Sequence, residues 1–310
     1  MGQPAISIIM PAFNCSRTIA ASIRSVTAQT FENWELIIID DGSSDDTRFL
    51  AESIALHDER IRVESQDNAG PSAARNNGIS LASAHLIAFL DSDDLWATDR
   101  LQGVVDRFAR EPETGVLFSR VRFIDASSDM PGRLSDHVAD LSADKLLGEN
   151  PVCTTSNIAC RARVIRDVGD FAKGLNFAED QEWLLRVAMC GRWAIRGIDE
   201  EWLFYRSSAE SQSADLEAMR RGWLTLIARA QQHGAGLSGQ SIRRAHGPFY
   251  RYLARRALRM RKPLHSIRYL AHGLKADPGL LLREPRRTVL TAMGAFLSFL
   301  PSKTIRGLVE

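Results

Sequence analysis

The chain has 310 residues, of which 45% are hydrophobic and 25% charged, which is the composition of an ordinary soluble globular protein. This length suits one large domain or two of ordinary size. The net charge of +1 hides an asymmetry, because residues 243–310 hold 15 Lys and Arg against 3 Asp and Glu. That segment carries 15 − 3 = +12 and the rest carries 1 − 12 = −11, which predicts a separate basic segment facing an anionic partner.

Four cysteines are few for this length, and they show neither a CxxC pair nor the spacing of a metal site. Free thiols in a reducing compartment are therefore expected. The first nine residues lack the basic and apolar regions of a signal peptide. The longest nearly apolar stretch, 289–300, is too short to cross a bilayer. We therefore expect a cytoplasmic protein.

Short buried strands alternate with amphipathic helices in the first hundred residues. Apolar runs predict strands at 5–10 (where Pro11 ends the first), 34–39, 61–64 and 86–90. Helical periodicity and polar caps predict helices at 19–29, at 47–57, and from the turn at 68–72 through 82. This β-α-β-α order predicts an α/β fold with a doubly wound, mostly parallel sheet.

The later elements divide into a mixed part and a helical part. In the mixed part the pattern predicts a helix at 98–110, a strand at 116–124, a polar loop at 125–135, a helix opening at 177–182, and strands at 193–198 and 201–205. The stretch 146–160 is too weakly patterned to assign. From residue 215 only helices are indicated, at 216–232, 241–260, 264–276 and 288–300. We therefore predict an α/β domain at 1–215 and a basic, all-helical region at 216–310.

Polar residues follow three of the predicted strands, at 11–14, 40–44 and 91–94. Because parallel strands gather their carboxyl ends along one edge of a sheet, these residues should converge on one crevice. Asp91 and Asp93 could both approach one hard cation if the chain turns at Ser92. An ordinary turn rich in Asp and Ser is the alternative.

Three more charged residues lie near predicted helix starts. Arg75 could meet a phosphate there through its charge and its two-pronged guanidinium, although such an arginine is also common in surface ion pairs. Opposite an acid-lined crevice, a pyrophosphate partner is favoured. Glu179 and Asp180 open a later helix, where carboxylates are stabilised by the helix dipole. They are either simple caps or contain a general base.

Six stretches together resemble the inverting family 2 glycosyltransferases, which have the GT-A fold. They are IIMPAFN at 8–14, IIIDDGSSDDT at 37–47, NAGPSAARNNGI at 68–79, FLDSDDLW at 89–96, VGDF at 168–171 and FAEDQEWLLRV at 177–187. Each stretch alone is a weak signal. Six in the right order, over about two thirds of the chain, are highly specific.

The resemblance implies transfer of a sugar from a nucleotide diphosphate, a UDP-sugar, to a hydroxyl of a saccharide or lipid-linked acceptor in cell-surface polysaccharide or glycoconjugate synthesis. The residues it implies in nucleotide-sugar binding are Pro11, Ala12, Phe13, Asp41, Arg75, Asp91, Ser92 and Arg206. Asp91 and Asp93 would form the DxD motif that holds Mn²⁺ or Mg²⁺. Asp180, supported by Glu179, would deprotonate the acceptor hydroxyl, which attacks the anomeric carbon opposite the departing nucleotide and inverts it.

One position departs from the family pattern. Many relatives have a histidine shortly after a Tyr-Arg pair, whereas here Tyr205 and Arg206 are followed by Ser207 and Ser208. Because that histidine can touch the metal or the diphosphate, the substitution implies weaker metal affinity or a larger share of the charge for Arg206.

The basic C-terminal segment has three interpretations. It is a solvated helical face, or it binds anionic lipid peripherally, or it binds nucleic acid, which is least favoured because no recognition motif is present. The basic residues Arg251, Arg255, Arg256, Arg259, Arg261 and Lys262 flank Tyr250, Tyr252, Leu253 and Leu258, which suits lipid binding.

Two rival functions remain open at this stage. A catalytically silent sugar-nucleotide-binding or scaffold protein would not need both Asp93 and Asp180. A nucleotidyltransferase usually has a Gly-rich signature with Arg and Lys near its N-terminus, and residues 10–14 (MPAFN) do not match it.

Overall fold

The structure is a computed structural model that describes residues 2–125, 131–175, 177–207, 215–232 and 237–299. The chain forms two compact units. The first unit comprises Met1–Ser142 and Pro151–Ala209, and the second comprises Ala143–Asn150 and Glu210–Glu310. The sequence gives no signal that Ala143–Asn150 joins the helical unit, because this stretch interrupts the α/β part of the chain.

Nine strands of the described chain form one sheet. They are β1 (Ile6–Ala12), β2 (Trp34–Asp40), β3 (Ile61–Ser65), β4 (Leu86–Phe89), β5 (Leu95–Trp96), β6 (Thr114–Asp125), β7 (Pro131–Leu134), β8 (Ala159–Arg161) and β9 (Ala194–Ser207). Their order is β3-β2-β1-β4-β8-β6-β9-β5, with β7 beside β6. Parallel pairs join β3, β2, β1 and β4 and join β6 to β9, whereas β5, β7 and β8 run antiparallel to their neighbours. The predicted α/β class with a mostly parallel sheet is confirmed.

Twelve α-helices lie in the described ranges. They are α1 (Ile19–Thr27), α2 (Thr47–Ala55), α3 (Pro71–Leu81), α4 (Arg100–Arg110), α5 (Ala143–Gly148), α6 (Ala162–Val168), α7 (Glu179–Cys190), α8 (Leu216–Gln232), α9 (Gly239–Arg259), α10 (Pro263–Ala276), α11 (Leu280–Arg283) and α12 (Pro285–Leu297). The helices α5 and α8 to α12 form the second unit, so the predicted C-terminal helical region is confirmed. The short helix α11 has no clear signal in the sequence.

Strands β1, β2 and β4 are buried on both faces, which explains their continuous apolar runs. Ile8 and Met10 of β1 belong to a core that includes buried residues of α1, α2 and α4. On the opposite face Ile9 packs against α3, where a Cβ on Gly78 would lie 2.5 Å from the Ile9 side chain. Helices therefore cover both faces, and α3 approaches the sheet closely because Gly78 has no side chain.

The first strand does not end at Pro11, as predicted, but continues to Ala12. Proline lacks an N–H donor, so it interrupts pairing only with the neighbouring strand that its nitrogen faces. The Ile9 carbonyl accepts from Leu90 N at 3.0 Å, and pairing with β4 ends at Ile9. Pro11, two residues later, faces the same side, where no ladder remains, and β1 stays paired with β2 on the other side.

Two other predicted boundaries are wrong. The polar loop at 125–135 contains strand β7, whose Gly132 carbonyl accepts from Arg122 of β6 at 3.1 Å; residues 126–130 lie outside the described ranges. The two strands predicted at 193–198 and 201–205 are one strand, β9. Its register against β6 shifts between Gly197 and Glu201, so the acidic residues between them form a bulge and not a turn.

The weakly patterned stretch at 146–160 contains three short elements. It holds the second half of α5, a 3₁₀ turn at Thr155–Asn157 and most of strand β8. Short elements carry too few periods of hydrophobic pattern to be recognised, which explains why the sequence gave no assignment.

In the second unit an aromatic stack holds α8 against α9. The rings of Trp223 and Phe249 lie 4.1 Å apart and nearly parallel. Trp223 also donates a hydrogen bond to the Leu147 carbonyl at 2.7 Å, which fastens α5 to the same unit. Within the described ranges, no helix combines the length and the apolar character needed to cross a membrane.

A buried arginine lies at the centre of this unit. Arg251 of α9 is 0% exposed and donates hydrogen bonds to Glu149 at 2.9 Å and to Glu284 at 2.8 Å. Leu253 is fully buried as well. Arg251 and Leu253 therefore take no part in the lipid-binding interpretation of α9, because their side chains form the interior of the unit.

Replacing Arg251 with Ala should destabilise the second unit by about 3 kcal/mol, because two carboxylates would remain close together without their common partner. Urea unfolding followed by hydrogen exchange of α9 and α12 measures this free energy. Arg255→Ala is the matched control, since Arg255 is half-buried and forms no ion pair within the described ranges. Equal losses in the two variants would contradict a stabilising role for the Arg251 ion pairs.

Candidate functional site

The structure brings together the three polar segments that follow β1, β2 and β4. Asp41 N donates to the Ala12 carbonyl at 2.8 Å, and Asn14 N donates to Ser43 Oγ at 3.0 Å, so the first two segments touch. The third is joined through α1, where Ser22 Oγ donates to the Ser92 carbonyl at 2.9 Å. These segments line the edge of the sheet where the order changes from β1 to β4.

The first of these segments ends the β1 strand with one exposed ring. Pro11 and Ala12 are buried in the strand, whereas Phe13 is 49% exposed. Asn14 then adopts a left-handed conformation with φ of 47°, and its side-chain oxygen accepts from Ser44 N at 2.8 Å. Asparagine tolerates this conformation better than most residues, so the turn holds Phe13 at the sheet edge.

Asp41 is buried and holds the turn that leads into α3. Its Oδ1 accepts from Gln66 Nε2 at 2.7 Å and from Ala69 N at 2.9 Å, and its Oδ2 accepts from Gly70 N at 2.8 Å. A carboxylate offers about four acceptor positions, so one position on Oδ2 is left for a further donor. Gln66 was not singled out from the sequence.

Arg75 of α3 is buried between two acids. It is 4% exposed, and it donates to Asp91 Oδ1 at 2.6 Å and to Glu179 Oε1 at 3.1 Å. Burial alone would lower the pKa of the guanidinium, but the charges of Asp91 and Glu179 raise it above its usual value. The arginine therefore joins the end of β4 to the start of α7.

The 3₁₀ turn at Thr155–Asn157 holds Asp91 from the other side. Thr154 Oγ1 donates to Asp91 Oδ2 at 3.3 Å, and Asp91 N donates to Ser156 Oγ at 2.9 Å. Asn157, 0% exposed, fastens this turn to Ser119 of β6 by accepting from Ser119 N at 3.0 Å and donating to its carbonyl at 2.7 Å.

These three residues of the turn were missed in the sequence. The available signal was four consecutive small polar residues, TTSN at 154–157, directly before the apolar strand β8. Only the fold shows that this run lies beside Asp91, because Thr154 comes 63 positions after Asp91 in the chain.

Asp93 and Asp94 lie in different surroundings. The Asp93 side chain reaches solvent and pairs with no other side chain within the described ranges. Partial enclosure by protein and the charge of Asp91 raise the pKa of the Asp93 carboxyl above its usual range. Asp94 is 0% exposed, and burial together with the charges of Asp93 and Asp91 raises its pKa well above the usual value.

Arg206 of β9 contacts this acidic turn. Its backbone N–H donates to Asp94 Oδ1 at 3.1 Å, and its guanidinium donates to the Asp93 carbonyl at 3.1 Å. Asp94, which was not singled out from the sequence, is thus the residue that fixes the turn to β9. Ser208, the second of the two serines that follow Arg206, lies outside the described residues.

Glu179 and Asp180 begin helix α7, as predicted. Ala178 precedes them with φ of 64°, a conformation that is uncommon for residues other than glycine. Asp180 is half-buried, and its Oδ1 accepts from Gln181 N at 2.7 Å. Both carboxylates lie in the first turn, where the helix dipole favours negative charge.

The VGDF stretch fixes α7 to α3. Asn76 of α3 exchanges two hydrogen bonds with the backbone of Phe171, at 2.8 and 3.0 Å. The Phe171 ring stacks on Trp183 of α7 with 5.4 Å between centroids, and Trp183 Nε1 donates to the Gly169 carbonyl at 3.0 Å. These contacts hold the start of α7 close to Arg75.

In the described part of this site, the carboxylate of Asp93 is available to bind a divalent cation. No group of three or more His, Cys, Asp or Glu side chains in the described part of the chain is arranged to hold a metal. Asp91 already accepts from Arg75 and Thr154, whereas Asp93 is free of such partners and carries a raised pKa. A hard cation that keeps most of its ligands as water or phosphate oxygen fits this arrangement.

Comparison with known proteins identifies the family. The model of the family described as Glycosyl transferase family 2 matches residues 7–169. A curated relative, the UDP-Glc:alpha-D-GlcNAc-diphosphoundecaprenol beta-1,3-glucosyltransferase WfgD of Escherichia coli, is 48% identical over 98 residues. That match covers 31% of this chain and 38% of WfgD, so the chain spans well under two thirds of this relative's length.

Two solved structures share the fold. Residues 1–349 of S. aureus TarS in complex with UDP superpose with a TM-score of 0.60 at 20% identity, covering 95% of this chain and 88% of that one. The mannosyltransferase PcManGT of Pyrobaculum calidifontis, in complex with GDP-Man and Mn²⁺, gives a TM-score of 0.60 at 18% identity, covering 95% and 85%. At these identities the likeness shows the fold alone, and it confirms the GT-A type. The family match covers more than half of the chain, which therefore belongs to glycosyl transferase family 2.

Proposed function

We propose that this enzyme transfers a sugar, with inversion and with the help of a divalent cation, from a UDP-sugar to a hydroxyl of a saccharide or lipid-linked acceptor. The observation that carries the proposal is the pair of hydrogen bonds from Arg75 to Asp91 and Glu179. They join the acids that end β4 to the acids that begin α7. This supports a donor-binding motif at Asp91 and a candidate base, Asp180 beside Glu179, at one crevice.

The names of the similar proteins agree with this choice of substrates. WfgD is named for a UDP-glucose donor and a diphosphoundecaprenol-linked acceptor. TarS was solved with UDP and with UDP-GlcNAc, whereas PcManGT was solved with GDP-Man. WfgD and TarS favour uracil as the base of the donor. WfgD also favours a lipid-linked acceptor and a role in polysaccharide or glycolipid synthesis.

The uracil would bind at the end of β1. The exposed Phe13 ring offers an apolar surface beside Pro11 and Ala12. The remaining acceptor position on Asp41 Oδ2 suits the N–H of a uracil base. Because three protein donors already orient Asp41, its carboxylate would need little reorganisation on binding.

The diphosphate would lie between the acidic turn at 91–94 and Arg206. Mn²⁺ or Mg²⁺ would be held by Asp93, with Asp91 as the other member of the DxD motif, and Ser92 lies between them. When bound, the cation would stabilise the negative charge that develops on the departing diphosphate. Arg206, whose guanidinium lies at the Asp93 carbonyl, would contribute positive charge to the same region.

Asp180 would act as the general base. It lies in the first turn of α7, where the helix dipole stabilises its ionised form, the form that a base requires. Glu179 is bound to Arg75 and is therefore the less suitable proton acceptor. Its proposed role is to hold the start of α7 so that Asp180 meets the acceptor hydroxyl.

Arg75 has a different proposed role from the one its sequence position indicates. A phosphate-binding arginine needs donors that point into the crevice, whereas Arg75 is 4% exposed and donates to two acids. We assign it to positioning: its two hydrogen bonds hold the carboxylates of Asp91 and Glu179 in place.

The enzyme would work in the cytoplasm, with its basic C-terminal helices in peripheral contact with an anionic membrane.

A panel of nucleotide sugars tests the donor assignment by thermal shift with and without Mn²⁺. We expect a UDP-sugar to raise the melting temperature, and Mn²⁺ to enlarge the shift. Asp93→Asn should abolish the Mn²⁺-dependent part, because an amide is a poor ligand for a hard cation. Asp99→Asn, at an exposed residue that makes no side-chain cap, is the control. Stabilisation by no UDP-sugar would contradict the proposal.

Replacing Asp180 with Asn should lower kcat by about 10²–10⁴-fold while donor affinity stays near normal. Turnover is measured with the donor found in the panel, and product NMR reports the anomeric configuration. Asp170→Asn, at an exposed residue near the start of the same helix, should keep normal turnover. A normal rate for Asp180→Asn would exclude it as the base, and a retained anomeric configuration would exclude inversion.

Arg75→Met should lower kcat because Asp91 and Glu179 lose their common partner. If Arg75 acts through Glu179, the effects of Arg75→Met and Glu179→Gln on kcat should not add in the double variant. Arg75→Lys should not restore the rate, since one ammonium cannot reproduce two hydrogen bonds in fixed directions. Additive losses, or a loss confined to donor affinity, would instead indicate direct contact with the donor.

A further inference from the structure

The end of the second unit exposes an unusual number of large apolar side chains. In the described ranges, seven of the twelve exposed large hydrophobic residues fall within residues 281–299: Leu281, Leu282, Val289, Leu290, Met293, Phe296 and Phe299. Their exposures include 67% at Leu290 and 68% at Phe296. Isolated exposed apolar residues are normal, but a contiguous group marks an interaction surface.

Helix α12 has the opposite of the usual arrangement, with small residues buried and large apolar residues exposed. Its buried residues are the small Thr288, Thr291 and Ala295. Val289, Met293 and Phe296 recur at helical spacing on the exposed side. A helix of an ordinary soluble protein places its large apolar side chains inward, so this helix presents its apolar side to the surroundings.

An open groove of about 330 Å³ runs along the same surface. It is lined by α10, α11 and α12, among others by Leu274, Leu281, Val289, Met293 and Phe296. Such a volume accepts apolar groups of a partner, and the side chains that line it are already in place. We call the exposed apolar residues of α11 and α12, with this groove, the apolar surface.

An exposed basic residue begins α12, and another follows the neighbouring helix α9. Arg286, exposed in the first turn of α12, forms no ion pair in the described part of the chain. At the other end, two contacts fix the alignment of α9 and α12: Arg251 meets Glu284, and Gly294 lies near Leu258. The helices therefore run in the same direction, and from this alignment we expect Lys262 on the side of the end of α12. Lys262 follows α9, is exposed, and its charge also acts on Asp215 at the start of α8.

We infer that the apolar surface docks on the face of an anionic lipid bilayer. The inference rests on the peripheral contact in the proposed function and assigns it a surface. A bilayer offers both negative headgroups and an apolar layer below them, which matches basic residues around a row of Leu, Met and Phe. A second copy of the chain fits less well, because two segments of charge +12 would repel each other. Nucleic acid would leave the apolar side chains without a partner.

The experiment measures partitioning of the full chain onto vesicles of phosphatidylcholine with and without phosphatidylglycerol. We expect binding to the anionic vesicles that weakens as salt shortens the Debye length from about 10 Å at 0.1 M to about 3 Å at 1 M. The double variant Leu290→Ser with Phe296→Ser should reduce partitioning by about tenfold or more, because two apolar anchors are lost. Its matched control is Phe49→Ser with Leu56→Ser, which alters an equally exposed Phe (67%) and an exposed Leu (85%) of the first unit.

A second pair of variants separates local from overall charge. Arg286→Glu with Lys262→Glu should reduce anionic binding by at least about tenfold, since each basic residue near the surface contributes about fivefold. Arg48→Glu with Arg62→Glu produces the same change in net charge in the first unit and should have little effect. Equal losses in the two charge variants would overturn the assignment to this surface.

Several other results would also overturn the inference. They are absence of binding to anionic vesicles at low salt, equal binding to neutral vesicles, and equal loss in the Phe49 and Leu56 control. Sedimentation without lipid tests whether a second copy of the chain occupies the surface. The surface is assigned to a second copy if the unaltered chain binds no vesicles and forms a dimer that the Leu290 and Phe296 variant abolishes. Donor binding by thermal shift is read in the same variants. Normal donor shifts without vesicle binding reject only the docking surface, and vesicle binding without donor shifts rejects only the proposed reaction.

Discussion

The buried guanidinium of Arg75 is the constraint on which the arrangement of the site depends. A buried charge without partners costs several kcal/mol, so Arg75 is tolerated only where carboxylates meet it on both sides. Asp91 and Glu179 provide them, at 2.6 and 3.1 Å. One comes from the end of β4 and the other from the start of α7, and the arginine itself lies on α3. The relative positions of these three elements, and so the distance between donor-binding and base candidates, follow from this ion-pair requirement.

The crevice forms where the central strands β1 and β4 stop pairing near their carboxyl ends. Pairing between β1 and β4 stops at Ile9, whereas pairing between β1 and β2 continues to Ala12. Pro11 can stand in β1 because its missing N–H faces the side where pairing has stopped. The strands therefore part at their carboxyl ends, where the order of the sheet changes and open α/β folds bind ligands. Phe13, Asp41 and the turn that starts at Asp91 are all placed by this divergence.

The sequence was most informative where pattern and position coincide. Continuous apolar runs predicted strands β1 to β4, and helical periodicity predicted most helices. The acids at the strand ends predicted which residues would share one edge of the sheet. It failed where a partner distant in the chain decides the conformation. The bulge in β9 looked like a break because Asp199 and Glu200 are exposed acids. The stretch around Thr154 and Ser156 has no readable pattern because Asp91 is their partner only in the fold. Arg75 was found, but its position between two acids changes the role it can take.

The charge asymmetry of the chain acquires a physical meaning in the second unit. Part of the positive charge is internal, since Arg251 is fully buried between Glu149 and Glu284. Arg286 is exposed in the first turn of α12, a helix that buries Thr288 and Ala295 and leaves Phe296 exposed. Each large apolar side chain left in water forgoes about 1.5–3 kcal/mol of burial, which would ordinarily favour self-association. Repulsion between like-charged surfaces opposes that association and keeps the apolar side chains available. The basic residues and the exposed apolar side chains occur in the same short segment. A partner that binds only the charges would therefore leave the apolar side chains in water, and a partner that binds only the apolar side chains would leave the charges unpaired.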